Sequence, residues 1–434
     1  MTATNLPIQP SPIALAWLVW SLGALLYFIG FYQRVAPAVM TAELSQAFQL
    51  TAAGLGNLSA FYFYSYVAMQ IPTGLLADRF GPRILLLIGG SVAAAGTMVF
   101  AMAENIWWAN AGRMLIGGSV GVAFVAMLKL ASHWMPARQF VLTSGLALAV
   151  GVFGAVIAGA PLRLLVDAFG WRAVMWVSAA VTLLVAAACW WIVRDDPSEL
   201  GYQSFADHQQ SSDNDLAVNS VLHGLKEVLR YRNVLLIYVL AGAMTGIVLT
   251  FAGLWGVPFL STHYQLSQTH AAGLCSAMLV AWAIGCLSFG WLSNRLARRK
   301  LPLMAGMAVA TALWAVIILQ PNLSLTVLTI LLVLTGFFCG CFIIFFAFAK
   351  ESVPLRLAGT VSGVTNMGVI QGPMFMQPLV GLVLDQSWHG AMLNGKRIFA
   401  FEAYSKGFLL IFIWAVVALV LLAFTRETHC RQTR

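Results

Sequence analysis

Charge is what this sequence has least of: Asp, Glu, Lys and Arg make up 9% of its 434 residues, against about 25% in soluble chains. With 60% hydrophobic residues and a mean hydropathy of +0.85, no charged, water-facing surface can be built. That excludes a cytosolic enzyme, a disordered chain and a nucleic-acid binder. Cysteine is sparse as well. Cys189, Cys275, Cys286, Cys339, Cys341 and Cys430 lie in or beside apolar stretches, without zinc-ligand spacing or a disulfide framework. They read as small packing residues, and no metal or cofactor is expected. Met1 to Pro12 lacks the basic region of a cleavable signal, so the first apolar helix is expected to stay in the protein.

What is present is a succession of apolar segments long enough to cross a bilayer. They fall near 14–39, 53–77, 84–103, 108–132, 140–162 and 173–193, then 234–260, 271–293, 302–320, 324–349, 358–384 and 407–425. The expected fold is an all-α polytopic membrane protein of twelve transmembrane helices in two six-helix bundles. Residues 1–193 form the first bundle and 234–434 the second. The long polar stretch 194–233 is a cytoplasmic linker with room for a surface helix over Leu222 to Tyr231. Of the 24 Lys and Arg, 16 fall on the side of the termini and 5 on the other, so both termini are expected in the cytoplasm. A bacterial inner membrane is the expected location, with the lipid bilayer as solvent and a monomer as the working unit.

The halves echo each other. Gly74-Leu75-Leu76-Ala77-Asp78-Arg79 after span two recurs as Gly290-Trp291-Leu292-Ser293-Asn294-Arg295 after span eight, at an offset of 216. Pro136, Ser144, Gly145 and Asp167 recur as Pro354, Ser362, Gly363 and Asp385, at an offset of 218. Repeats of this kind are a mark of transporter architectures.

These residues resemble the major facilitator superfamily over essentially the whole chain. Gly74 to Arg83 is similar to that family's loop signature between spans two and three, and Arg113 to Gly118 to its Arg-x-x-x-Gly element in span four. Tyr32 to Pro37, Trp255 to Pro258 and Gly359 to Gly363 look like the branch of organic-anion symporters and lysosomal dipeptide carriers. The resemblance implies that Gly74, Asp78, Arg79 and Arg83, with Asn294 and Arg295 in the second loop, form a conformational latch, Asp78 meeting the start of span eleven. Arg113 and Gly117 are the structural motif. Asn294 departs from Asp78, which makes the two loops unequal.

Inside the spans stand Arg34, Arg113 and Lys129, with no Asp or Glu. Intramembrane cations without an internal carboxylate take an anion from water or a backbone carbonyl as partner. Arg34 shares a helix face with Tyr27, and its planar fork suits a carboxylate or phosphate. Pro37 removes the amide that would bond the Gln33 carbonyl. Arg113 and Lys129 lie on different helix faces, so only one can serve a cavity. Tyr62, Tyr66 and Gln70 form a polar ridge on span two, and Trp255, Asn366 and Gln371 could close a site from the second half. Asp167 and Asp385, at the outer ends of spans five and eleven, could be outer-gate partners of Arg163 or Arg172, but read most simply as solvated loop charges.

The expected function is secondary active or facilitative transport of a small organic anion (a carboxylate, phosphate ester or short peptide) by alternating access, with a coupling proton left open. The alternative is a proton-driven exporter of drugs or metallophores, which would ordinarily use a carboxylate within a span. A membrane enzyme is not expected, because no acid–base, nucleophile or metal constellation stands out.

Overall fold

The computed structural model describes residues 11–205, 218–393 and 396–432; within its helices the side chains of Leu75, Asp78, Arg138 and Ser144, among others, lie outside that description. In a bilayer every backbone polar group must be satisfied within the chain, so apolar segments of this length become helices. Eleven described helices are long and apolar enough to cross a membrane: Ile13–Val39, Arg79–Met102, Ile106–Trp134, Gly145–Phe169, Trp171–Ile192, Arg232–His263, Gln268–Leu296, Lys300–Leu319, Leu325–Glu351, Leu355–Gln386 and Phe401–Ala423. They are spans one, three to six and seven to twelve.

Span two is residues 52–78. It runs into span three as one helical stretch, Ala52–Met102, broken at Gly81 by φ 76° and ψ 162°. That left-handed turn favours glycine, and a Cβ there would also lie 2.2 Å from the Asp195 carboxylate. Span two is the least apolar because it carries Asn57, Tyr62, Tyr64, Tyr66 and Gln70.

Breaks within spans have local causes. In span one the α-helix ends at Val35 and continues as the 3-10 turn Ala36–Val39, where Pro37 cannot continue the ladder. Span five bends at Ala158 and Gly159. Span seven holds a π-helical turn at Phe251–Trp255, a feature often found at functional sites. A linker helix, Val218–Val228, precedes span seven. Before span twelve two short strands, Met392–Leu393 and Lys396–Arg397, pair antiparallel.

We call the face where span one begins and span twelve ends the terminal face, and the opposite one the far face. The halves share two seams, span two against eleven and span five against eight. At the far face both are close. A Cβ on Gly56 would lie 2.4 Å from the Gln377 carbonyl oxygen, on Gly381 2.4 Å from that of Ala52, and on Gly159 2.0 Å from Ser276 Oγ. At the terminal face both open: Gly74, Gly145, Gly359 and Gly363 have no heavy atom within 4 Å of such a Cβ. The molecule is shut at the far face and parted at the terminal face.

Candidate functional site

Span one sets Tyr27, Phe31 and Arg34 on one face at i, i+4 and i+7. The Tyr27 and Phe31 rings meet at 5.0 Å, and Phe31 lies 4.2 Å from the Arg34 guanidinium carbon. Tyr62 and Tyr66 of span two stack at 6.1 Å and 12°, and both face the same guanidinium, at 5.5 and 5.0 Å. Arg34 is 5% exposed, and its Nε has no hydrogen-bond partner. Aromatic faces stabilise a cation but leave in-plane N–H groups unsatisfied. The Nε–H is thus a donor that an anion could accept from.

A second arginine shows the contrast. Pro37 leaves the Gln33 carbonyl without its helical amide, and Arg113 Nη1 donates to that oxygen at 2.7 Å. Arg113 Nη2 donates to the Ser59 carbonyl at 3.2 Å, and Gln33 Nε2 donates to Thr97 Oγ1 at 2.8 Å. Arg113 thus ties span four to spans one and two. Gly117, one turn on, lets the backbones touch: a Cβ there would lie 2.0 Å from the Tyr62 carbonyl oxygen. Tyr62 itself donates its hydroxyl to the Gly30 carbonyl at 3.1 Å.

From the second half, Ile370 and Met374 of span eleven pack on the Tyr62 and Tyr66 cluster. One turn toward the terminal face, Asn366 Nδ2 donates to Gln70 Oε1 at 2.7 Å, a polar contact across the halves. The other expected cargo residues stand elsewhere. Gln371 Nε2 donates to the Tyr238 carbonyl and holds span eleven to span seven. Trp255 Nε1 donates to the Gln377 carbonyl at 3.0 Å, and its ring lines a hollow on the far face. Lys129 Nζ donates at 2.8 Å to the Ala77 carbonyl near the terminal end of span two, away from the Arg34 group. Phe31 and Ile370 were not singled out from sequence; Phe31 was findable as i−3 from Arg34, whereas nothing marked Ile370.

The loop elements work largely within their own halves. Asp78's side chain lies outside the described residues, and Gly74 faces open space. Arg79 and Arg295 are exposed, resting on Phe80 and Trp291. Arg83 donates through Nε to the Trp190 carbonyl at 2.9 Å, and its amide bonds Asp195 at 2.6 Å. Burial pushes the Asp195 carboxyl up, against the pull of that amide. Asn294 Oδ1 accepts from Arg299 Nη1 at 2.7 Å. Arg299 also pairs with Glu351 at 2.6 Å. Glu427 caps span nine, accepting from the Arg299 and Lys300 amides at 2.9 and 2.8 Å. In this state, therefore, the contacts of Arg83 and Asn294 brace each half rather than join the two.

The reading of Asp385 and Asp167 as solvated charges is corrected. Asp385, at the far end of span eleven, accepts from the amides of Ala52 and Ala53 at 3.0 and 2.8 Å and pairs with Arg397 at 2.9 Å. A carboxylate of one half thereby caps the first turn of a helix in the other, where the helix dipole favours it. Asp167 pairs with the buried Arg163, which also holds Glu43 at 2.8 Å.

Comparison with known proteins fits this architecture. A bacterial homologue of the human lysosomal transporter Spinster, solved in an inward-facing, unoccupied conformation, superposes with a TM-score of 0.75 at 16% identity, covering 95% of this chain and 97% of that one. A probable galactarate/D-glucarate transporter of Escherichia coli is 22% identical over 366 residues, 78% of this chain and 81% of its own length. A probable sulfoacetate transporter of Cupriavidus necator is 27% identical over 175 residues, 40% of this chain and 41% of its own. The chain thus spans only about two fifths of the length of the curated relatives it matches at 27–31% identity. The profile of one family, however, runs from residue 21 to residue 376. With twelve helices, two facing halves and a match over most of its length, the chain belongs to the Major Facilitator Superfamily.

Proposed function

We propose that the chain is a secondary transporter of a small organic anion, working by alternating access, and that Arg34 takes the anionic group of the solute. The observation that carries this reading is a guanidinium at 5% exposure, ringed by Phe31, Tyr62 and Tyr66, without an ion-pair partner among the described residues. A desolvated charge of that kind is costly unless an anion completes it. The solutes of two relatives, a probable galactarate/D-glucarate transporter and a probable sulfoacetate transporter, are small organic anions, which supports the sign of the cargo.

The excess of Lys and Arg at the terminal face supports a cytoplasmic location for it. The open end then faces inward. In the opposite state Gly74, Asp78 and Arg79 meet the start of span eleven, where Gly359 and Gly363 now stand clear. With no acidic residue beside Arg34 among the described residues, movement of the solute is facilitated diffusion or anion exchange.

Purified protein in sealed vesicles tests both parts. Labelled galactarate is expected to equilibrate, and to exchange faster when unlabelled galactarate is inside. Accumulation driven by a pH difference alone, with no counter-anion, would overturn the coupling assignment; no protein-dependent flux of any organic anion tried would overturn the function.

A further inference from the structure

The far face, although shut, is not flat. A hollow of about 630 Å³ opens there, within the size range of small-molecule sites. Its walls are unlike the rest of the molecule. Gln46 and Gln49 come from the helix after span one, and Gln265 and Gln268 from the turn into span eight. These pairs are repeats of one another at an offset of 219, and the same Ala-Ala-Gly-Leu follows each, at Ala52 to Leu55 and at Ala271 to Leu274. The two halves therefore present the same two amides to one space. Aromatic surface is supplied by Trp388 and Phe399, and among the described residues the lining includes one cation, Arg397, and no acid. Below it, Val35, Ala38 and Val39 of span one close against Ala252, Val257 and Leu279 along a crevice too narrow for water. That plug separates the hollow from Arg34.

The geometry points to a second binding site in this hollow, for a polyhydroxylated carboxylate. Amides both donate and accept, as vicinal hydroxyls require; aromatic faces suit the C–H edges of a polyol. A guanidinium is the group that pairs a carboxylate. Arg397 is the hinge of the argument, because it is shared. It rests 4.4 Å from the Trp388 ring and pairs with Asp385, the residue that clasps span two. A solute carboxylate that draws Arg397 to itself leaves Asp385 held by two amides alone, so occupation of the hollow loosens the far-face gate. The sign of the solute rests on the function proposed above; the site itself does not.

The test uses the full chain in lipid nanodiscs. Five of the six cysteines are buried, and Cys430 follows span twelve at the terminal face, so a Thr262→Cys variant gives one thiol at the hollow. Its labelling by an impermeant maleimide is followed with galactarate, succinate or galactitol. Galactarate is expected to slow labelling several-fold, with succinate weaker and galactitol without effect. The protection is expected to persist in the Arg34→Ala background and to vanish with Arg397→Gln. No protection by galactarate would overturn the site, as would protection that survives Arg397→Gln. Protection lost in Arg34→Ala would trace it to the central arginine, and this site would fall while the central reading stood.

Discussion

Two arginines lie within 5.5 Å of the Tyr62 ring, and what separates them is where their N–H groups go. Arg113 spends two on backbone carbonyls, that of Gln33, which has no helical amide, and that of Ser59. Removing it as Arg113→Ala strands the Gln33 carbonyl in a dry place, at about 1–3 kcal/mol, and unties span four from spans one and two. The thermal midpoint of the purified protein is expected to fall clearly in that variant. Arg34→Ala, which strands no backbone carbonyl, is expected to leave it closer to wild type. A midpoint that drops more for Arg34→Ala than for Arg113→Ala would reverse these assignments. Part of this was legible in the sequence: Pro37 announces an orphan carbonyl at Gln33. Which cation finds it was not, because helical spacing gives a residue's face and not the helix opposite. Lys129 shows the same limit, its ammonium resting on the end of span two.

Spans two and eleven run antiparallel, and successive contacts mark their crossing. Asp385 meets Ala52 and Ala53, Gly56 meets Gln377, Tyr62 and Tyr66 meet Ile370, and Gln70 meets Asn366. Beyond that point the helices part. A side chain at residue 56 has no room in the shut state, so Gly56→Val is expected to favour opening at the far face. Ala38 is fully buried in the plug. Labelling of Ala38→Cys from the far side should rise in the Gly56→Val background, and an unchanged rate would show that this seam does not set closure. Capping gives a second expectation. Burial alone would raise the Glu427 carboxyl, but four backbone amides hold it below its usual range. A depressed carboxylate stabilises above its unfolded pKa and is lost as pH falls through the folded one. Thermal stability should therefore decline at acid pH, less steeply in Glu427→Gln; parallel declines would remove Glu427 from the account. The twelve segments were readable from hydropathy. The cap was not, since the distance along the chain from Glu427 to Arg299 carries no local signal.

At the scale of the molecule the two seams close by different chemistry despite the repeat. Asp385 joins the halves, whereas its counterpart Asp167 turns to Arg163 within its own half. Asp385→Asn weakens one clasp and leaves the other seam untouched. Spin labels at residues 42 and 268, on opposite walls of the far-face hollow, are expected to gain a longer distance component in that variant; an unaltered distribution would contradict the clasp. The repeat offsets announced two facing halves, but they could not reveal which copy of a duplicated aspartate had kept the bridging role. The central claim remains that Arg34 receives the anion, and one measurement meets it directly. Galactarate flux into proteoliposomes is compared for wild type, Arg34→Ala and Arg34→Lys at matched thermal stability. The account predicts flux abolished in Arg34→Ala and only a fraction kept in Arg34→Lys, where a point charge replaces the planar fork. Wild-type flux through folded Arg34→Ala protein would contradict it.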